Sequence, residues 1–524
     1  MRHRAGTRTR TGNDGVTTQG LSGMDLARPA PAGAVGRRRI GVIDVGSNSV
    51  RLVVFDGMER SPAYFYNEKV LCGLGAGLGE TGRLSPDGWM SALAALRRFV
   101  ALAGRMEISG LVAVATAAIR DAADGRDFCD EVHRETGLQL NVASGAEEAR
   151  LAAKGVLLGW PDAEGLVCDM GGASMELAHL TGGEVAAGET SPLGPLKLVG
   201  LSEAEREKYI RKAIKALRKA VPVEAPRLFL VGGSWRAIAR LDMERAGYPL
   251  KVLHGYQPPI PRLLETLDWI RGQDQQALSG MPGPSAARLR LVPLASGVLA
   301  ELIRRVAPSS LVVSGYGLRE GLLYRQMPEA MRALDPLIDA CRHMEASQAR
   351  SPGFGDALFQ WVSPLYAEAA RPETRLIHAA CLLHDVNWRA HPDYRAELCF
   401  ESVTRANIGG IDHPERVFLG LALFNRYKAS LGGSGAAETA RYAALLSPER
   451  TDAAVSLGRA LRLGAMLSGS AIGVLEHTAI RREAETLRLT LRGPARAFAG
   501  EAVDRRLQAL AQRLGLAHAI ELAE

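Results

Sequence analysis

The chain reads as an α/β protein: two related lobes facing each other across an interlobe cleft, then an all-helical domain. Three observations predict this. A strand, small-residue turn and strand at Ile40–Phe55 recur at Gly165–Leu180, about 125 positions later. Strand-like runs alternate with helical periods up to about residue 325. Beyond residue 326 strand signals fade, and apolar residues keep helical spacing to the end.

Each element has a local reason. Ile40–Phe55 is apolar on both sides of Gly46-Ser47-Asn48-Ser49, which punctuates a hairpin. A helical period over Thr81–Ala103 follows Ser85-Pro86, and Leu111–Thr116 is a short strand. Ser144–Leu158 reads as a helix opened by a Ser/Gly turn, with Glu147 and Glu148 in its first turn, where the macrodipole favours negative charge. Gly165–Leu180 repeats the hairpin around Gly171-Gly172-Ala173-Ser174. Two more strand-glycine signals, Leu228–Leu241 and Leu311–Tyr324, extend the second lobe. Ser351-Pro352-Gly353 and Gly432-Gly433-Ser434-Gly435 read as loops within the helical part. The expected partition is a tail at 1–39, lobes at 40–152 and 153–325, and a helical domain at 326–524.

With 524 residues, the chain exceeds what one compact core supports. Its 47% hydrophobic and 23% charged residues exclude a largely disordered, collagen-like or coiled-coil protein. The best apolar run, Leu291–Ala300, is far short of the roughly 18 residues a bilayer span requires. Six cysteines without a CxxC pair point to free thiols in a reducing, cytoplasmic compartment. The net charge of +7 is concentrated in residues 1–39, where eight arginines and two aspartates supply +6. That segment has no apolar periodicity and no signal-peptide h-region, so it reads as a solvated, disordered basic extension. The body is nearly neutral, and no nucleic-acid or membrane partner is expected.

The paired hairpins carry the chemistry. In each, an aspartate (Asp44, Asp169) ends an apolar strand just before a turn of small residues. Such turns let backbone N–H groups converge on an anion, and Ser47 and Asn48 add side-chain donors. The strand-end carboxylate can hold a hard cation beside the phosphate oxygens. One Asp-x-Gly turn is an ordinary hairpin; two with the same layout are a functional signature.

IGVIDVGSNSVRLVVFDG and LVCDMGGASMEL resemble the two phosphate-binding motifs of the actin–hexokinase superfamily, with its ribonuclease H-like lobes. ATAAIR (115–120), SGAEEARLAAKGV (144–156), DMGGASMEL (169–177) and VGGSWRAIARL narrow the resemblance to the exopolyphosphatase / guanosine pentaphosphate phosphohydrolase (Ppx/GppA) family. That resemblance implies two actin-like lobes and Mg²⁺-dependent release of terminal phosphate from inorganic polyphosphate. It also implies guanosine pentaphosphate as a second substrate, and a homodimer. It assigns Glu148 as the general base that orients water, and Asp44, Asp169 and Glu176 as Mg²⁺ ligands. Gly46, Ser47, Asn48, Arg120, Gly171, Gly172, Ala173 and Ser174 become the phosphate cradle. Taken alone, Glu147 and Glu148 are helix-start charges, Arg120 a surface ion-pair partner and Glu176 a solvent-facing strand residue.

Two positions depart from the family pattern: Ala173 replaces a third glycine, and Met175 stands where Thr or Ser is usual. A methyl group at 173 is expected to crowd a phosphate or demand negative φ. The C-terminal part resembles the HD-type helical domain of longer members. His343 and His384-Asp385 follow its metal-ligand order, but the helix ALRLGAMLSG lacks the later aspartate, so a second metal site is not expected. His378, His391 and His413 are expected to make ordinary hydrogen bonds. Arg206, Lys208, Arg211, Lys212, Lys215, Arg218 and Lys219 cluster on one helix opposite Ile210, Ala213, Ile214 and Leu217. That face reads as solvated or, alternatively, as a track for a long polyanion. Two rival functions share the hairpins: a sugar- or acetate-type kinase, and a non-catalytic polyphosphate or guanosine pentaphosphate sensor.

Overall fold

The computed structural model describes residues 39–224, 226–281, 289–428 and 436–524. The expected basic tail, except Arg39, and the Gly432–Gly435 loop lie outside the described residues. The chain forms two compact units. One runs up to Met58 and resumes over Ala63–Ser144; the other takes Glu59–Pro62 and Gly145–Glu524.

The first unit is built on β1 (Ile40–Val45), β2 (Ser49–Phe55), β3 (Tyr64–Leu71), β4 (Gly110–Ala115) and β5 (Leu140–Val142). They lie in the order β3-β2-β1-β4-β5, with β1 antiparallel to β2 and parallel to β4. β1 is buried along nearly its whole length, as a central strand covered on both faces must be. The helix Pro86–Arg105, capped by Ser85 accepting from the Gly88 N–H, sends Leu93, Leu96 and Phe99 into this core.

The second unit repeats the plan with β6 (Gly165–Met170), β7 (Met175–Thr181), β8 (Glu184–Ser191), β9 (Arg227–Gly232) and β10 (Ser310–Val313). Their order is β10-β9-β6-β7-β8, the same succession with β6 in the place of β1. These are two α/β domains of the actin-like fold. The helix Gly145–Gly159 packs on β7 and β8, so it belongs to the second unit, and the expected lobe division at 152/153 falls inside it.

The C-terminal region is helical around Leu419, Leu457 and Leu461. It is not all-helical. β11 (Thr478–Glu483), β12 (Thr486–Arg492) and β13 (Ala517–Ala523) form a third sheet. Its signal was present in TLRLTLR, where Leu487, Leu489 and Leu491 alternate inward and the residues between them do not. The strand sits within the same hydrophobic cluster as the helices, which is why a mainly helical background hid it. No helix among the described residues is long and apolar enough to cross a membrane.

Candidate active site

In the first unit, Asp44 stands at the end of β1, and Gly46 N–H donates to the Ser49 carbonyl at 3.0 Å to close the turn. The segment after β3 clamps that turn from outside. Cys72 and Gly73 N–H groups reach the Asn48 carbonyl at 3.1 Å, and Gly75 N–H reaches the Ser47 carbonyl at 2.7 Å. Asn48 is exposed and Ser47 half-buried, so both retain access to solvent. Arg120, on the short helix after β4, donates to the Ala143 carbonyl (3.0 Å) and pairs with Asp121 (3.1 Å). Its guanidinium is therefore held at the end of the sheet rather than loose on the surface.

The second unit reproduces this turn residue for residue. Gly171 N–H donates to the Ser174 carbonyl at 3.0 Å, and Leu196 N–H donates to the Gly172 carbonyl at 3.0 Å, the counterpart of the Gly75–Ser47 bond. Gly171, Gly172 and Ala173 all lie outside the positive-φ region, so Ala173 fits the turn without strain. Met175 is wholly buried and packs into the core. Neither departure distorts the turn.

Asp169 and Glu176 are cross-strand partners on β6 and β7. Glu176 is buried, contrary to the solvent-facing reading, and accepts from Thr190 Oγ1 at 2.9 Å. The helix Gly145–Gly159, which packs on β7 and β8 and carries Glu148, covers this face. Glu148 is also buried. Burial first, then the charges of Glu148 and Asp169, push Glu176 well above the usual carboxylate range, against hydrogen bonds from Ser174 and Thr190. The three carboxyl groups therefore act on one another. Glu147, the adjacent residue, turns outward to Arg325 at 2.9 Å, with its side chain 44% exposed.

Two glycines make this arrangement possible. A Cβ on Gly145 would lie 2.0 Å from Thr190 Cγ2, so only glycine lets the Glu148 helix start so close to β8. Gly232 has φ of 110°, and a Cβ there would lie 2.7 Å from Asp169 Oδ1. The sequence marks this glycine as a strand-end signal and part of the family resemblance; close approach to Asp169 is its physical role. Thr190, which holds Glu176, escaped sequence reading because nothing in the sequence around it marks a partner on the neighbouring strand.

No three His, Cys, Asp or Glu side chains among the described residues converge as a closed metal cage. Asp169 and Glu176 nevertheless suit Mg²⁺: they are hard oxygen donors, mutually repelling, beside a turn that can hold phosphate. Mg²⁺ commonly takes one or two carboxylates and completes its shell with water and substrate phosphate.

In the helical region His384 and Asp385 are both engaged by other groups of the chain. Asp385 receives both arms of Arg350, at 2.7 and 2.8 Å. His384 bonds the Cys381 carbonyl at 2.9 Å, and Ser470 Oγ lies 3.4 Å from its other nitrogen. His343 lies 3.6 Å from Glu59. His378 meets Asp356 (2.7 Å), His391 accepts from the Asp393 N–H (3.3 Å), and His413 meets Tyr248 (3.0 Å), all ordinary hydrogen bonds.

Comparison with known proteins places most of the chain in a family. A family model described as "Ppx/GppA phosphatase family" matches residues 53–330, and "Exopolyphosphatase, C-terminal" matches residues 337–520. The chain belongs to the Ppx/GppA phosphatase family. As a member, it is a hydrolase of phosphoanhydride bonds. Exopolyphosphatase 2 of Mycobacterium tuberculosis is 26% identical over 312 residues, covering 54% of this chain and 97% of that protein. A guanosine-5'-triphosphate,3'-diphosphate pyrophosphatase of Aeromonas salmonicida is 24% identical over 476 residues, covering 86% of this chain and 91% of that protein. The fold is also seen in the crystal structure of an exopolyphosphatase from Cytophaga hutchinsonii, with a TM-score of 0.51, 24% identity, and coverage of 55% of this chain and 96% of that one.

Proposed function

We propose that the chain is a Mg²⁺-dependent exopolyphosphatase that removes terminal phosphate from inorganic polyphosphate, with guanosine pentaphosphate as a second substrate. The observation that carries the reading is the contrast between neighbours. Glu148 is buried against Glu176, while Glu147 faces Arg325. A carboxylate buried beside phosphate-binding turns has the surroundings a general base requires.

In this reading Gly46, Ser47, Asn48 and Arg120 are phosphate-binding residues of the first unit, and Gly171, Gly172, Ala173 and Ser174 are those of the second. Backbone N–H groups do most of that binding, because they cost no reorganisation as charge moves to the leaving oxygen. Glu148 orients water in line and accepts its proton. Asp44, Asp169 and Glu176 would hold Mg²⁺, which neutralises phosphate charge when bound. The unstrained turn at Ala173 and the inward Met175 weigh against a sensor that has lost its chemistry. The six free cysteines support a cytoplasmic setting.

Phosphate release from purified protein with Mg²⁺ and long-chain polyphosphate tests the reading. Binding without release would favour the sensor, and acceptor-dependent ADP formation the kinase.

A further inference from the structure

The helix that carries Glu148 in its first turn ends at Gly159, and its last carbonyls are all accounted for. The Val156 carbonyl accepts from Trp160 N–H at 2.8 Å, and the Gly159 carbonyl from Gly410 N–H at 2.5 Å. Among the described residues, the two between them, Leu157 and Leu158, are bonded by the guanidinium of Arg60, at 3.0 and 2.5 Å. Arg60 comes from the four-residue tip between β2 and β3, which packs with the second unit. It is 0% exposed, and its Nε lies 3.1 Å from the carbonyls of both Arg332 and Leu334. Its backbone N–H donates to Asp339 at 3.1 Å.

Burying an arginine completely is expensive unless its donors are satisfied. Here they go to backbone carbonyls, including two at a helix C-terminus, where a cation also complements the dipole. A helix is stiff along its axis, so a grip on residues 157–159 sets where residue 148 lies, about 15 Å away at 1.5 Å per residue. We propose that Arg60 is a positioning residue for Glu148. It fixes the register of the helix, and thereby the place of the carboxylate, without touching substrate. The inference rests on Glu148 as the base.

The test is a double-mutant cycle on the full chain, read as kcat and KM for polyphosphate. Arg60→Ala should lower kcat by about 10- to 100-fold with KM within about twofold, since a misplaced reacting group costs that much. Arg60→Lys, which keeps the charge but loses the fork, should recover part of the loss. In the Glu148→Gln background the same changes should have little further effect, because Arg60 acts through that carboxylate. If Arg60→Ala does not fold, Arg60→Lys carries the cycle, with a smaller loss of kcat that again disappears beside Glu148→Gln. Equal proportional losses in both backgrounds would reveal a merely structural cap and overturn the inference, as would unchanged kcat in Arg60→Lys and Arg60→Ala. Wild-type turnover in Glu148→Gln alone would instead overturn the base assignment, and this inference with it.

Discussion

Glu148 and Glu147 are identical in type and adjacent in sequence, yet one is buried among carboxylates and the other pairs with Arg325 at the surface. Glu148→Gln keeps size and hydrogen bonding but removes the proton acceptor, so kcat should fall by roughly 10²–10⁴-fold with polyphosphate binding nearly intact. Glu147→Gln should stay within about twofold, since an exposed ion pair is worth about 0–1 kcal/mol. Steady-state phosphate release distinguishes them, and equal losses would mean the role is shared or misassigned. Glu176 leads to a separate expectation. Its folded pKa lies above its unfolded value, so its stabilising contribution is full at pH below the ordinary carboxylate range and is lost as pH rises through the raised value. Glu176→Gln should therefore melt higher than wild type at pH 8, and the gap should close towards pH 4. If Glu176 is one of the Mg²⁺ ligands proposed above, Mg²⁺ should relieve the same repulsion and raise the melting temperature of wild type more than that of the variant.

At the scale of elements, both hairpins are clamped from outside by a loop that donates to the same turn position, Ser47 in one and Gly172 in the other. This repetition ties both turns down at the same position. The strand-helix junction at Gly232 serves the same end. Gly232→Ala would force a Cβ at φ of 110° and within 2.7 Å of Asp169 Oδ1. A loss of about 1–3 kcal/mol in urea unfolding is expected, together with reduced turnover as Asp169 is displaced. The basic helix Glu203–Ala220 buries Ile210, Ile214 and Leu217 and exposes Lys208, Lys212, Lys215 and Lys219, as its periodicity predicts. If that face guides long polyanions, charge reversal at Lys212 and Lys215 should raise KM for long chains, but not short ones, and the difference should shrink with salt. Unchanged KM at low salt would leave it a solvated face.

For the whole molecule, the helical region buries titratable groups that couple its stability to pH. Arg350 occupies Asp385, and burial pushes His384 down to about 4 and His413 down to about 3. Both histidines are neutral in the fold and charge on unfolding. Their stabilising effect is full above the ordinary histidine pKa and is lost as pH falls towards the folded values, at about 2 kcal/mol for each between pH 7.5 and 5. Urea midpoints at those two pH values should differ accordingly, and His384→Gln should flatten part of the difference. A flat pH dependence in wild type would contradict the burial of both rings. Asp385→Asn should leave Mg²⁺-dependent turnover within about twofold, because Asp385 is the partner of Arg350 and stands apart from the proposed catalytic groups.

Local pattern alone determined the two hairpins with Asp44 and Asp169 and the helix opened at Ser144-Gly145, while family resemblance singled out Glu148 and Glu176. Turn chemistry and strand periodicity act over a few residues and are written directly in composition and spacing. What only tertiary structure decided lies between elements. Glu176 alternates with buried neighbours and looks exposed until the helix Gly145–Gly159 packs on its strand and Thr190 bonds it. Glu148 differs from Glu147 only because Gly145 brings the helix onto β8. Arg60 looked like any charged residue beside Ser61-Pro62, yet it is buried on carbonyls near residue 158. The third sheet was legible in TLRLTLR, but its parallel partner begins at Ala517, and pairings of that separation leave no local mark. Burial and the partners of buried charges depend on what the rest of the chain places nearby, and a periodic pattern cannot encode that.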